Sequence, residues 1–212
     1  MTEALVAFGL VAALMTITPG LDTLLVLRAS ATGGRAAGVA AAIGISTGVI
    51  IWAAASAIGL TALLAASKLA YDVLCIAGAA YLCWLGARAL WSVRRHATPV
   101  EDGAPTDVVV GEQWTIGRAL RVGLTTNLLN PKVGAFYLSV LPQFLPTTVN
   151  PLGGSLALAS VHVAEGLLWL SLLAFLVTRA RGWLTRAAVR RRFEQATGVV
   201  LVALGLRLAL DR

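Results

Sequence analysis

Charge is what this sequence has least of. Of its 212 residues only 13% are Asp, Glu, Lys or Arg, while 58% are hydrophobic and the mean hydropathy is +0.82. A soluble domain carries about 25% charged residues, because its surface must be hydrated. The shortfall excludes a water-soluble fold and points to a polytopic membrane protein with little chain outside the bilayer. Histidine and cysteine are scarce as well, with two of each. Cys75 and Cys83 lie eight apart in an apolar stretch, without CxxC or zinc-ligand spacing, and read as small buried side chains. HExxH and Walker sequences are missing, and GxSxG occurs only as Gly44-Ile45-Ser46-Thr47-Gly48 inside a predicted apolar span and not at a strand-to-helix turn, which argues against an integral-membrane enzyme and leaves no motif for nucleotide-driven work. No Lys or Arg precedes the first apolar run, whose first charge is Glu3, so the N-terminus does not read as a secretory signal.

What is present is a series of apolar runs. Backbone polar groups in lipid must be satisfied internally, so runs of about 20 apolar residues read as helices. The alternation of barrel strands is absent. The charge gaps predict six spans: Leu5 to Leu27, Val39 to Ala65, Leu69 to Trp91, Ala119 to Leu141, Leu152 to Thr178, and Ala196 to Leu210. Asp22, Lys132 and Glu165 fall inside spans one, four and five.

The basic residues are distributed unevenly. Net charge is +7, and thirteen of the 17 Lys and Arg fall in or beside the connections one–two (Arg28, Arg35), three–four and five–six. Opposite connections carry only Lys68, or nothing between Pro142 and Pro151. The positive-inside rule makes the basic side cytoplasmic and both termini external, in a bacterial cytoplasmic membrane. The arginine cluster from Arg179 to Arg192 reads as a contact with anionic headgroups, not with nucleic acid. Val93 to Gly117, with two prolines and four acidic residues, reads as a cytoplasmic linker.

The linker separates two halves that echo each other, residues 1–92 and 118–212. Span three ends Leu85-Gly86-Ala87-Arg88 and span six ends Leu204-Gly205-Leu206-Arg207. Spans one and four each hold a proline, at Thr18-Pro19-Gly20 and Asn130-Pro131-Lys132. Three spans per half would turn the second copy upside down. The expected fold class is therefore all-α integral membrane, with six transmembrane helices in two inverted three-helix repeats. Its first and fourth helices are broken at Pro19, Gly20 and Pro131, and such breaks are where secondary transporters hold charged groups.

These residues also carry a family resemblance. Pro19-Gly20-Leu21-Asp22-Thr23-Leu24-Leu25-Val26 with Gly33-Gly34-Arg35-Ala36-Ala37-Gly38 resembles the opening signature of the lysine exporter and homoserine/threonine exporter family. Gly78-Ala79-Ala80-Tyr81-Leu82 with Leu85-Gly86 is similar to its third span. Asn127-Leu128-Leu129-Asn130-Pro131-Lys132, followed by Leu141-Pro142-Gln143-Phe144, is similar to its fourth and is the most specific block. Leu21 stands where that family commonly has proline. The resemblance spans nearly the whole chain and implies export of amino acids or their derivatives, driven by protons.

The candidate site follows from the breaks. Asp22, Thr18, Asn127, Asn130 and Lys132 are the expected substrate-binding residues, with Thr16, Thr125 and Thr126 in the same clusters. Asp22 is also the expected proton acceptor. A central Asp facing lipid costs about 2.5–3.5 kcal/mol on insertion scales, so it must face a cavity or a partner. His162 and Glu165 are three apart and share a helical face, as a proton relay or as a structural hydrogen-bonded pair. Gly44-Ile45-Ser46-Thr47-Gly48 has the small-xxx-small spacing of close helix packing. No cofactor or metal is expected. The expected partners are an amino acid, protons and lipid, with homo-oligomers left open. Export of another small solute or a metal ion, or a membrane enzyme, are the competing readings. Cysteines introduced into the 93–117 linker should resist an impermeant maleimide on intact cells, while cysteines at either terminus should react. External labelling of the linker would reverse the orientation.

Overall fold

The computed structural model describes residues 1–67, 114–146 and 148–177, with single helical positions at 73, 76, 80, 83, 84, 87, 195, 199, 202, 203 and 206. Among the described residues every regular element is helical and there is no strand. The third and sixth predicted spans as continuous helices, most of the linker, the arginine cluster and the Arg88/Arg207 echo lie outside the described residues. Among the described residues two stretches, Leu21–Gly59 and Pro151–Phe175, are by length and composition long and apolar enough to cross a membrane.

The elements are α1 (Thr2–Ile17), α2 (Leu21–Ala66), α3 (Ile116–Leu128), α4 (Pro131–Ser139), a 3-10 turn (Leu141–Phe144) and α5 (Pro151–Phe175). Their starts follow from capping chemistry. Thr115 caps α3 by accepting from Arg118 N at 3.3 Å. Asn130 caps α4 through Lys132 N at 3.1 Å, and Asn150 caps α5 through Gly153 N at 3.0 Å. Proline is the first residue of both α4 and α5, where its missing N–H costs nothing. Since α3 begins at Ile116, the last residues assigned to the linker are helical.

The first connection differs from the expected loop. Arg28 is helical, and α2 continues to a single non-helical residue, Gly34, at φ 80 and ψ 173. That positive φ suits glycine, and there the chain folds back on itself. Residues 35–66 then run antiparallel to residues 21–33. Gly38 sits directly on Ser30, so a Cβ at Gly38 would collide with the Ser30 hydroxyl. Ser30 Oγ is itself turned back onto Val26 O at 2.7 Å.

Bare backbone controls the next contact, between the second arm of α2 and α3. A Cβ at Gly44 would strike Leu120 O, and one at Gly123 would strike Ala41 O. The two helices meet main chain to main chain, as small-residue membrane interfaces do. One end of the bundle gathers the Gly34 turn, Trp114 and the end of α5, where Arg35 lies 5.6 Å over the Phe175 ring. At the other end Phe8 of α1 packs on Phe144, 5.7 Å between centroids. Hence α1 and α5 run one way, and the second arm of α2, α3 and α4 run the other.

The buried residues form two cores. One, around Phe8, Phe136, Tyr137, Leu141 and Leu158, occupies the Phe144 end. The other, around Val26, Ala41, Ile45, Leu170 and Leu173, occupies the Gly34 end. Outward positions stay apolar, with Leu10 71% and Leu168 75% exposed, as a lipid-facing surface requires. Gly123→Leu should lower the detergent melting temperature, in line with an overpacking cost of about 1–3 kcal/mol. Gly117→Leu, which has open space at the same helix, should not. Equal melting of both variants would refute the backbone contact.

Candidate functional site

Proline in a helix strips the carbonyl four residues earlier of its donor. Pro19 does this to Met15, and Pro131 does it to Asn127. Both carbonyls find replacements. Lys132 Nζ, from the start of α4, donates to Met15 O at 3.4 Å. Trp52 Nε1, from α2, donates to Asn127 O at 3.4 Å, and Asn130 N joins it at 3.1 Å. Each break is thus completed by a side chain from a distant part of the chain. The Lys132 ammonium also meets the C-terminal, negative end of the α1 dipole.

The break at residues 18–20 leaves α2 to begin at Leu21, with Asp22 in its first turn at the positive end of that helix. Asn127 Nδ2 donates to Asp22 Oδ2 at 3.0 Å and Asn130 Nδ2 to Asp22 Oδ1 at 3.5 Å. Asn130 therefore does two jobs, capping α4 with its oxygen and holding Asp22 with its amide. Gly48 makes room for this arrangement: a Cβ there would come within 2.5 Å of Asn127 Oδ1. That Asn127 oxygen is buried without a partner.

Asp22, Thr18, Asn127, Asn130 and Lys132 all line one cavity of about 60 Å³, between the two cores, together with Thr16, Phe136 and His162. A volume of that size holds a few water molecules or the polar head of a small solute. Thr18 Oγ donates to Leu14 O at 2.6 Å, closing the end of α1. Thr16 Oγ is buried without a partner. Thr125 is exposed and bonded back to Arg121 O at 3.0 Å, away from this group.

The structure separates the two α5 candidates. His162 Nδ1 lies 2.9 Å from Tyr137 OH, with the two ring planes within 6° of parallel. Glu165 turns instead toward α1, where a Cβ at Gly9 would sit 3.4 Å from its Oε1, and its Oε2 is buried without a partner. Two participants were missed in the sequence. Trp52, deep in the second predicted span, packs on Gly134 and bonds Asn127 O. Tyr137 was not singled out, and nothing local to it signals its role.

Asp22 and Lys132 thus lie at two helix breaks, among described elements that are all helical, in the arrangement that secondary transporters use to hold charged groups. Comparison with known proteins agrees. The LysE type translocator family profile matches residues 13–212, and the chain belongs to that family. It is 27% identical over 209 residues to the uncharacterized membrane protein YrhP of Bacillus subtilis, covering 99% of this chain and 100% of the relative. It is 27% identical over 209 residues to the homoserine/homoserine lactone efflux protein of Salmonella typhimurium, covering 97% and 96%. Over 200 residues it is 28% identical to the threonine efflux protein of Salmonella typhi, covering 92% of each chain. No solved structure matches the chain.

Lys132→Met should strand the Met15 carbonyl and destabilise the fold by about 1–3 kcal/mol, the cost of one buried unpaired acceptor. Lys132→Arg should restore most of it. Thermal unfolding in detergent reads both, and unchanged stability in the Met variant would mean that Met15 O is satisfied otherwise.

Proposed function

We propose that this protein exports amino acids from the cytoplasm in exchange for protons. The observation that carries the reading is the cavity with Asp22 on one broken helix and Lys132 on the other. An amino-acid zwitterion has a matching pair of charges. Its ammonium suits Asp22, whose carboxylate oxygens keep free lone pairs beyond the two amide donors. Its carboxylate suits Lys132, whose ammonium has three donors and uses one on Met15 O. Thr18, Asn127 and Asn130 shape the floor of the site. The efflux of homoserine and threonine named for two relatives supports this substrate class.

The proton enters through the same carboxylate. Asp22 holds either a proton or the substrate ammonium, so the two alternate on one group and cross in opposite directions. A proton moving down the membrane potential releases about 2.3 kcal/mol per 100 mV, and this supplies the work of export. Glu165, the other acid within the described spans, takes a secondary part in coupling. In this reading the protein is a transporter and not an enzyme, and it binds amino acid, proton and lipid.

The same proposal includes an architecture. Residues 1–92 and 118–212 are two inverted three-helix repeats joined by a cytoplasmic linker, with both termini outside a bacterial inner membrane. Two features support it. Broken helices open both halves, α1 into α2 and α3 into α4. Arg28, Arg35, Arg118 and Arg121 gather toward the Gly34 end of the bundle.

The test is amino-acid uptake by inverted vesicles under an imposed pH gradient, at matched protein levels. Asp22→Asn should abolish gradient-driven uptake while the protein still inserts. Glu165→Gln should keep transport and change only its dependence on pH. Full proton-driven transport by Asp22→Asn would remove Asp22 from the coupling. Loss in Glu165→Gln alone would move coupling to α5.

A further inference from the structure

Three phenylalanines connect the cavity to the Phe144 end of the bundle. Phe136 of α4 lines the cavity. Phe8 of α1 packs on Phe136, 5.6 Å between centroids, and on Phe144 at 5.7 Å. Phe8 and Phe136 are fully buried, while Phe144 is partly exposed. Phe8 and Met15 are seven residues apart, so they share a face of α1 and lie about 10 Å apart along its axis. Met15 lines the cavity, which puts Phe8 beyond it toward the Phe144 end. On this face of α1 the rings fill the space between the cavity and that end.

The two sides of this contact are held differently. α4 is fastened to α2 at both ends. Trp52 Nε1 donates to Asn127 O just before α4, and Ser56 Oγ donates to Tyr137 O near its end at 2.8 Å. Between them a Cβ at Gly134 would come within 2.9 Å of the Trp52 indole. α2 in turn meets α3 backbone to backbone at Gly44 and Gly123. α1 meets α4 and the 3-10 turn through rings, which can part without leaving a donor or acceptor unpaired. Where α1 joins α2 the chain is free to turn. Thr18 is extended, at φ −67 and ψ 117, Pro19 offers no N–H, and a Cβ at Gly20 would meet nothing within 4 Å. The Lys132 bond to Met15 O lies within a turn of this joint, so it can persist through a swing that carries Phe8, two turns farther out.

We infer that α1 is a gate: Phe8 closes the cavity toward the Phe144 end, and α1 opens it by swinging about Thr18, Pro19 and Gly20 away from α4 and α5. This rests on the export reading above, since a solute leaving the cavity toward that end has to displace Phe8.

The seal is tested by labelling, which needs no transport. The full chain carries Cys75→Ser and Cys83→Ser, with Ser46→Cys as a reporter in the cavity wall. Its reaction with a small charged methanethiosulfonate is timed on right-side-out and on inverted vesicles. The face of the Phe144 end is the one from which a Thr2→Cys chain reacts. Phe8→Ala should speed the reporter severalfold from that face and leave the opposite face unchanged. Phe144→Ala, at a partly exposed ring, should do the same to a smaller extent and decides the matter if Phe8→Ala does not fold. Phe175→Ala, at the Gly34 end, should change nothing. Unchanged labelling without the Phe8 and Phe144 rings overturns the inference, and so does a gain confined to the opposite face. The swing is tested by a disulfide that leaves all three rings in place. A Cβ at Gly9 would lie 3.2 Å from Val161 Cγ1, so Gly9→Cys with Val161→Cys ties α1 to α5. Oxidation should stop amino-acid transport in proteoliposomes, and reduction should restore it. Linked protein that transports at the reduced rate overturns the gate and leaves amino-acid export standing. No transport of any amino acid by the native chain would sink the export reading, while the labelling still decides the seal.

Discussion

The fold turns on two missing backbone donors. In lipid no water replaces a lost hydrogen bond, so each proline inside a span creates a debt that another part of the chain must settle. Pro19 frees Met15 O, and the ammonium of Lys132 reaches it from α4. Pro131 frees Asn127 O, and the indole of Trp52 reaches it from α2. The donors arrive from elements more than 70 residues away. The breaks are therefore tertiary joints as well as local interruptions, and the charged residues beside them are positioned by the repair.

The cavity's location follows. Each break ends one half-helix and starts another, so neither core can run through that level. Phe136 and Val49 belong to the core at the Phe144 end, and Ile45 and Leu170 to the core at the Gly34 end; all four line the cavity. The polar groups lie at the seam between two well-packed bodies. An Asp and a Lys can occupy that depth because amides, carbonyls and helix ends surround them. The small residues of α2 set the spacing. Gly44 brings α3 to backbone contact, and four residues later Gly48 admits the Asn127 side chain that holds Asp22. One stripe of glycines thus serves both packing and site.

Much of this was legible because proline, asparagine and glycine act locally. Pro19, Asn130 and Pro131 mark interruptions whatever surrounds them, and the spacing of Gly44 and Gly48 announces a close helix contact. That the two polar clusters would share one cavity was a guess from their parallel positions in the two halves, and the Asp22–Asn127 bond crosses 105 residues of sequence. His162 and Glu165 share a helical face yet meet different neighbours, for a geometric reason. Residues three apart on a helix point about 60° apart, enough here for one to meet α4 and the other α1. Tyr137 gave no signal, because its role exists only after α4 and α5 pack. The first connection was overestimated because Arg28 and Arg35 read as loop residues, whereas a single glycine with positive φ is all the turn requires.

That turn has a practical side. A reversal confined to Gly34, with Gly38 against Ser30 and Arg35 over Phe175, exposes no extended strand of backbone. A protease needs such a strand to bind, so this junction should survive digestion. For the same reason it is a poor place for an epitope tag or a reporter insertion. Added residues there would lift both arms of α2 from each other and carry Asp22, which sits on the first arm, away from the asparagines that hold it.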